Sequence, residues 1–213
     1  MTSIASHSAT TDQAVDDVAT SARGFGHGIA DPGPLGLGAF AMTTFFLSVT
    51  NTNMVPASVS VGVLSLAFFY GGITQMLAGM WEFAKGNTFG ALAFSSFGAF
   101  WLSYWYLVDR GVLTAMGKDV DKGLGLFLLA WTIFTAYMFI ASTRTTLVIM
   151  GVFAALTLTF LFLTIGAFAT DTTYNKVAGW LGLVTVLFAW YGSLAGVMNA
   201  TAKRVVFPVF PRT

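Results

Sequence analysis

The sequence predicts an all-α, polytopic membrane protein of six transmembrane helices, and three observations predict it. Of 213 residues, 56% are hydrophobic and only 9% charged, whereas soluble domains carry about 25% charged residues and need them to cover their surface. From Leu35 onward the apolar residues gather into six runs, each near the roughly 20 residues that cross a bilayer as a helix. Every charge from Asp31 onward falls at or between run ends, apart from Glu82, which sits just inside one. The two-residue alternation of a membrane β-barrel is absent.

Residues 1–30 are small, polar and mildly acidic, with neither the basic start nor the apolar stretch of a secretory leader. Such a composition buries too little to offset ordering entropy, so a flexible cytoplasmic tail is expected there. The first run, Leu35–Thr50, is entered through DPGPLGLGAF and closed by NTNMVP. Pro32 and Pro34 fix φ and suit a first helical turn, where a missing amide proton costs little. That turn would aim free amides and a positive dipole end at the mouth of any pathway, where an anion such as a carboxylate could sit. The second run, Ala57–Phe83, ends at WEFAKGN; the third, Thr88–Val108, at DRGVLTAMGKDVDKG. The fourth, Leu124–Ser142, meets the fifth, Leu147–Ala169, through the tight link TRTT. After TDTTYNK, the sixth runs from Val177 to Ala200. Residues 31–200 thus form the transmembrane domain, and 201–213 a short C-terminal tail.

Six spans put both termini on one side, with Arg23, Lys85, Arg144, Lys203, Arg204 and Arg212 there. Arg110, Lys118, Lys122 and Lys176 lie opposite, so the positive-inside rule favours cytoplasmic termini in a cell membrane. Trp81 and Trp180 lie near run ends, as interfacial anchors do. Gly86 with Gly90, and Gly192 with Gly196, are each four apart, a spacing that lets helices approach closely in lipid, within one bundle or between subunits.

Chemistry is scarce inside the runs. The chain has no cysteine, and its two histidines, His7 and His27, precede the apolar part. No catalytic residue, metal site or cofactor site is therefore indicated, and hydroxyls without a base are poor nucleophiles. A net charge of +1 gives no footprint for nucleic acid. What remains is a pathway lined by aromatics, hydroxyls and amides, suited to small neutral or singly charged solutes. Thr43 and Thr44 follow Phe40 by three and four residues, and Thr159 follows Leu156 by three. Each pairs a hydroxyl with an apolar side chain on one helical face, unless the hydroxyl bonds back to its own helix. Gln75, Glu82 and Asn87 form a polar trail around the end of the second run. Gln75 must face an interior. Glu82 either joins the pathway or snorkels to the interface and pairs with Lys85.

The segments DPGPLGLGAF, AMTT, FYGGITQMLAGMWEFAKGNTFG, AFSSFGAFW, FTAYMF and AGWLGL, in that order, resemble the acetate uptake transporter family, which includes the bacterial acetate–succinate transporters. The resemblance covers nearly all of the chain from Asp31 to Asn199. It implies a ring-shaped homohexamer in lipid, with one pathway in each protomer, a small mono- or dicarboxylate as substrate, and channel or proton-symport activity; a wholly apolar constriction would resist a bare carboxylate and so favour uptake at low external pH. It also implies an apolar constriction from the first, third and fifth helices, which falls on Phe40, Phe97 and Leu156, with Asp31, Pro32, Pro34 and Gly36 in the motif at the mouth. Three positions depart from the family. Phe97 stands where the family has Tyr, Asp31 where it has Asn, and Gly196 where relatives carry Glu. An apolar Phe97 and an acidic Asp31 lean toward the alternative, a channel for neutral solutes such as urea, amides or ammonia.

Overall fold

The computed structural model of the protein describes residues 28–212. Most of the expected N-terminal tail, with His7, Arg23 and His27, lies outside the described residues. Six helices are long and apolar enough to span a membrane. They are α1 (Gly33–Asn51), α2 (Ala57–Lys85), α3 (Thr88–Asp109), α4 (Val120–Ser142), α5 (Leu147–Ala169) and α6 (Thr172–Ala202). Strands are absent among the described residues, apart from one isolated bridge between Thr146 and Pro211. The fifth run was legible to the residue. The sixth helix starts earlier than its apolar run because Asp171 caps it, its Oδ1 accepting from Thr173 N at 2.8 Å. That backbone hydrogen bond holds the Asp171 carboxyl below its ordinary range.

The second span is wound unevenly. It opens as a 3-10 turn (Ala57–Gly62), passes through α-helix (Val63–Phe68) and a π turn (Phe69–Thr74), and ends as α-helix (Gln75–Lys85). Its buried positions Val63, Ala67, Gly71 and Gln75 are four apart, a spacing that drifts about 40° per step around a regular helix. The π turn fits more residues into each turn and holds these positions in line. Gln75 and Glu82 both follow the π turn, in regular α-helix, where a seven-residue spacing puts them on one inward face, and both are buried.

Helices pack in the order α4, α5, α6, α1, α2, α3, while the α3 and α4 backbones meet at few points. Glycines set the closest approaches. A methyl on Gly98 of α3 would lie 2.8 Å from Met76 N and 2.9 Å from Gly72 O of α2. One on Gly79 would overlap the backbone of Ser95. On α6, Gly179 sits against Thr52 N, and Gly196 against the Pro34 ring, 2.6 Å from a built methyl. The Gly192–Gly196 face therefore packs on α1 within one chain, through Leu37 and Pro34. The Gly86–Gly90 pair forms no such face. Gly86 ends α2 in the left-handed region (φ +82°), which favours glycine, and Gly90 belongs to α3 and lies under Glu82.

The C-terminal segment is a strap rather than a loose tail. Asn199 Oδ1 accepts from Val206 N (2.7 Å) and Phe207 N (2.9 Å), and Tyr191 donates to Pro208 O (2.7 Å). Beyond them, Leu147 N donates to Phe210 O (3.0 Å) and Arg212 N to Thr145 O (2.8 Å). The strap thus runs from the end of α6 to the link between α4 and α5.

Candidate functional site

Packing leaves two cavities that approach one another from opposite ends of the bundle. The first, about 350 Å³, opens at the face bearing Asp31, Lys85 and Thr145 and reaches Phe40, Phe97 and Leu156. The second, about 370 Å³, opens at Asn51, Asp121 and Asp171 and reaches Leu47, Phe100 and Leu163. Phe40 and Leu47 on α1, like Leu156 and Leu163 on α5, are seven residues apart. At 1.5 Å per residue the barrier between the cavities is about 10 Å thick on those helices.

That barrier is aromatic. Phe40 and Phe97 meet with ring centroids 5.6 Å apart at 56°. Phe97 also lies 5.4 Å from Phe134, 6.0 Å from Trp131 and 6.3 Å from Phe160. Phe100 continues the cluster toward the second cavity, 5.1 Å from Trp131 and 5.2 Å from Phe160. Phe40, Phe97 and Leu156 are all buried and come together at the end of the first cavity. Sequence reasoning missed Phe100, Phe134 and Phe160, and reads the deep Trp131 as packing rather than function. A signal existed on the fourth run, where Phe127, Trp131 and Phe134 share one helical face. Their rings fill the gap that the separated α3 and α4 backbones leave.

The three threonines part company. Thr43 donates to Ala39 O (2.9 Å) and packs on Gly71; Thr159 donates to Ala155 O (2.9 Å) and faces Gly182. Both satisfy themselves on their own helix and lie against neighbouring helices, off the walls of the two cavities. Thr44 is buried with its hydroxyl unpartnered, at a height on α1 between Phe40 and Leu47. Thr44 lines neither cavity, but it shares the α1 face of Phe40 and Leu47, so its unpaired hydroxyl lies at the level of the partition.

The polar trail is assembled at the first cavity. Gln75, Glu82 and Asn87 all line it. Gln75 is fully buried and its amide oxygen has no partner. Glu82 neither snorkels nor pairs with Lys85. Only 1% exposed, its Oε2 accepts from Asn87 Nδ2 at 2.8 Å, while Asn87 Oδ1 caps α3 by accepting from Gly90 N at 3.2 Å. The missing side chain of Gly90 leaves the room in which the Glu82 side chain lies.

Lys85 turns to Asp31 instead, Nζ to Oδ1 at 2.7 Å. The same oxygen accepts from Gly33 N at 2.9 Å, so the amide expected to await an anion is already taken by a carboxylate of the chain. Pro32 and Pro34 shape the first turn as expected. Ser193 of α6 donates to Pro34 O at 2.7 Å, and Gly36 accommodates the Phe94 ring. The motif at the mouth is thereby clamped between α6 and α3. Two small vestibules with an aromatic partition can hold and discriminate a small solute, and among the described residues no nucleophile hydrogen-bonded to a base lies on their walls.

The profile of the GPR1/FUN34/yaaH family matches residues 18–212. The "Ammonia transport outward protein 2" of Saccharomyces cerevisiae is 38% identical over 190 residues, covering 87% of this chain and 67% of that protein. The "Succinate-acetate/proton symporter SatP" of Escherichia coli is 36% identical over 181 residues, covering 85% of this chain and 95% of SatP. Among solved structures, the bacterial acetate channel SatP superposes with a TM-score of 0.79 at 36% identity, covering 85% of this chain and 99% of that one.

Proposed function

Because this chain belongs to the GPR1/FUN34/yaaH family, we propose that it carries acetate and other short-chain carboxylates, succinate among them, across the membrane. It is a multi-pass membrane transporter or channel, and not an enzyme. The observation that carries the reading is the pair of opposed vestibules, separated by a partition of Phe40, Phe97, Phe100, Phe160 and Leu156 with no ionised group on it. A partition without a charged group selects against ions. Phe40, Phe97 and Leu156 are its narrow part, with Thr44 offering a hydroxyl within it and Gln75, Asn87 and Glu82 lining the approach. Assembly as a ring of six, with one pathway per protomer, and a cytoplasmic location of both termini complete the proposal. The distribution of Lys and Arg supports the placement of the termini, and the resemblance to the acetate uptake transporters supports the ring.

A second reading, a channel for neutral ammonia, has one specific support: the wholly apolar partition suits an uncharged solute, in line with the name of the yeast relative. Uptake of labelled acetate, methylamine as an ammonia surrogate, and urea into vesicles holding the purified protein separates the readings. Acetate flux at background level with saturable methylamine flux would replace the first by the second.

Size selection tests the partition itself. Phe40→Ala and Leu156→Ala each remove several carbons from the narrow part. Relative flux of butyrate over acetate is expected to rise on the order of ten-fold, since one methylene against a fitted wall is worth that much or more. Phe97→Tyr, which restores the family residue, should raise carboxylate flux at neutral pH by supplying a hydroxyl. Unchanged butyrate-to-acetate ratios in both alanine variants would place the selective element elsewhere.

A further inference from the structure

We propose that Asp31 acts as a tethered substitute for the substrate carboxylate, and that Lys85 with the Gly33 amide forms an anion-docking site at the mouth of the first cavity. The inference rests on the proposed carriage of carboxylates and assigns its specificity at one mouth. A single oxygen of Asp31 accepts from both Lys85 Nζ (2.7 Å) and Gly33 N (2.9 Å). A cation and an amide directed at one carboxylate oxygen is the arrangement by which charge-assisted hydrogen bonds hold a free carboxylate. All three residues line the cavity. The occupant is on a short leash: Asp31 precedes the helix, and its side chain is 52% exposed. Swinging outward, it leaves both donors in place for another carboxylate of the same shape.

The deeper wall explains why docking stops at the mouth. Glu82 also approaches Gly33, its Oε1 3.4 Å from where a methyl on that glycine would lie, against 3.1 Å for Asp31 Oδ1. With Lys85 engaged by Asp31, the Glu82 carboxylate has, among the described residues, only the neutral Asn87 amide as its side-chain hydrogen-bond partner. An incoming anion therefore gains a cation only by displacing Asp31. Asp31 lowers affinity in this view by occupying Lys85, which is a different claim from simple repulsion, and the two predict opposite couplings.

The experiment is a double-mutant cycle of wild type, Asp31→Asn, Lys85→Gln and the double variant. Each is reconstituted in vesicles oriented by an affinity tag, with acetate varied on the face that carries the mouth. Asp31→Asn should lower the half-saturating acetate concentration about two- to five-fold, the scale of one exposed ion pair released. In the Lys85→Gln background the same change should give a smaller gain. Repulsion alone requires a larger gain there, since no cation offsets Asp31, and that outcome overturns the proposal. Varying acetate on the opposite face should leave all four half-saturation values alike; an equal shift on both faces would also overturn it. Asp31→Ser, whose hydroxyl still accepts from Gly33 N, repeats the test should the asparagine disturb the first turn. Absence of acetate flux in wild type removes the proposed function and this inference with it. Flux without the stated coupling removes the inference alone.

Discussion

Acetate uptake is expected to rise about ten-fold for each unit by which external pH falls between pH 8 and pH 6. The two routes through the partition carry different penalties. Carboxylic acids titrate near pH 4, so at pH 7 only about one molecule in a thousand is neutral, equivalent to about 4 kcal/mol. A bare carboxylate crosses the aromatic layer at a cost of about 3 kcal/mol on insertion scales and 10 or more in simulations. The neutral route wins at pH 7 wherever the anion costs more than about 4 kcal/mol. A layer about 10 Å thick with no cation on its walls, offering Thr44 as its unpaired hydroxyl, puts the cost on that side. Passage of the neutral acid also moves one proton with each carboxylate, so a channel of this kind has the stoichiometry of a symporter without any titrating side chain. Initial rates of labelled acetate uptake at fixed total acetate, with protein-free liposomes subtracted for lipid permeation, measure the slope. A flat profile would mean that the anion crosses, at a cost below about 4 kcal/mol.

Gly98→Val and Gly79→Val should each abolish most of the assembled protein, and what survives should melt roughly 10 °C lower. The substituents would meet backbone: Met76 N and Gly72 O in one case, Ser95 in the other. Overpacking usually costs about 1–3 kcal/mol because some side chain can turn aside. Here nothing can turn, so α2 and α3 must separate. A loss near 3 kcal/mol corresponds to about 6–12 °C for a chain of this size. Separation also withdraws Gln75 and Glu82 from the cavity wall, so residual protein should transport poorly. Gly90→Ala is the informative contrast, because its methyl meets the side chains of Asn87 and Glu82, which can shift. Thermal unfolding in detergent and size-exclusion profiles decide the matter. A Gly98→Val protein that melts within two or three degrees of wild type, as about 1 kcal/mol would give, would show the α2–α3 contact to be loose.

The spans were legible because burial in lipid leaves a composition signal that needs no knowledge of partners. The link TRTT and the start of α5 followed from it directly. The winding of α2 did not, since FYGGIT reads as ordinary helix until the four-residue spacing of Val63, Ala67, Gly71 and Gln75 is set against its neighbours. Glycines were visible, but which of them touch backbone depends on facing helices, so Gly86 and Gly90 looked like a packing pair while Gly79 and Gly98 did not stand out. Phe40, Phe97 and Leu156 came through the family pattern, and the fourth helix's rings fell outside the constriction because that pattern draws only on the first, third and fifth. Long-range pairing was illegible altogether: Lys85 is three residues from Glu82, yet its partner is Asp31, which sequence distance gives no means of choosing.

The side-chain seam between α3 and α4 has a consequence for how such a protein changes over generations. Where two helix backbones touch, a substitution threatens the whole molecule and is purged. Where rings fill a gap between separated backbones, as Phe97, Phe100, Trp131 and Phe134 do, a side chain of similar volume and different polarity would change the proposed pathway without parting two helices. On the proposed pathway, descendants of one ancestral chain are then free to diverge in cargo faster than in shape, because a ring in a gap can be exchanged for one of like volume without moving a backbone.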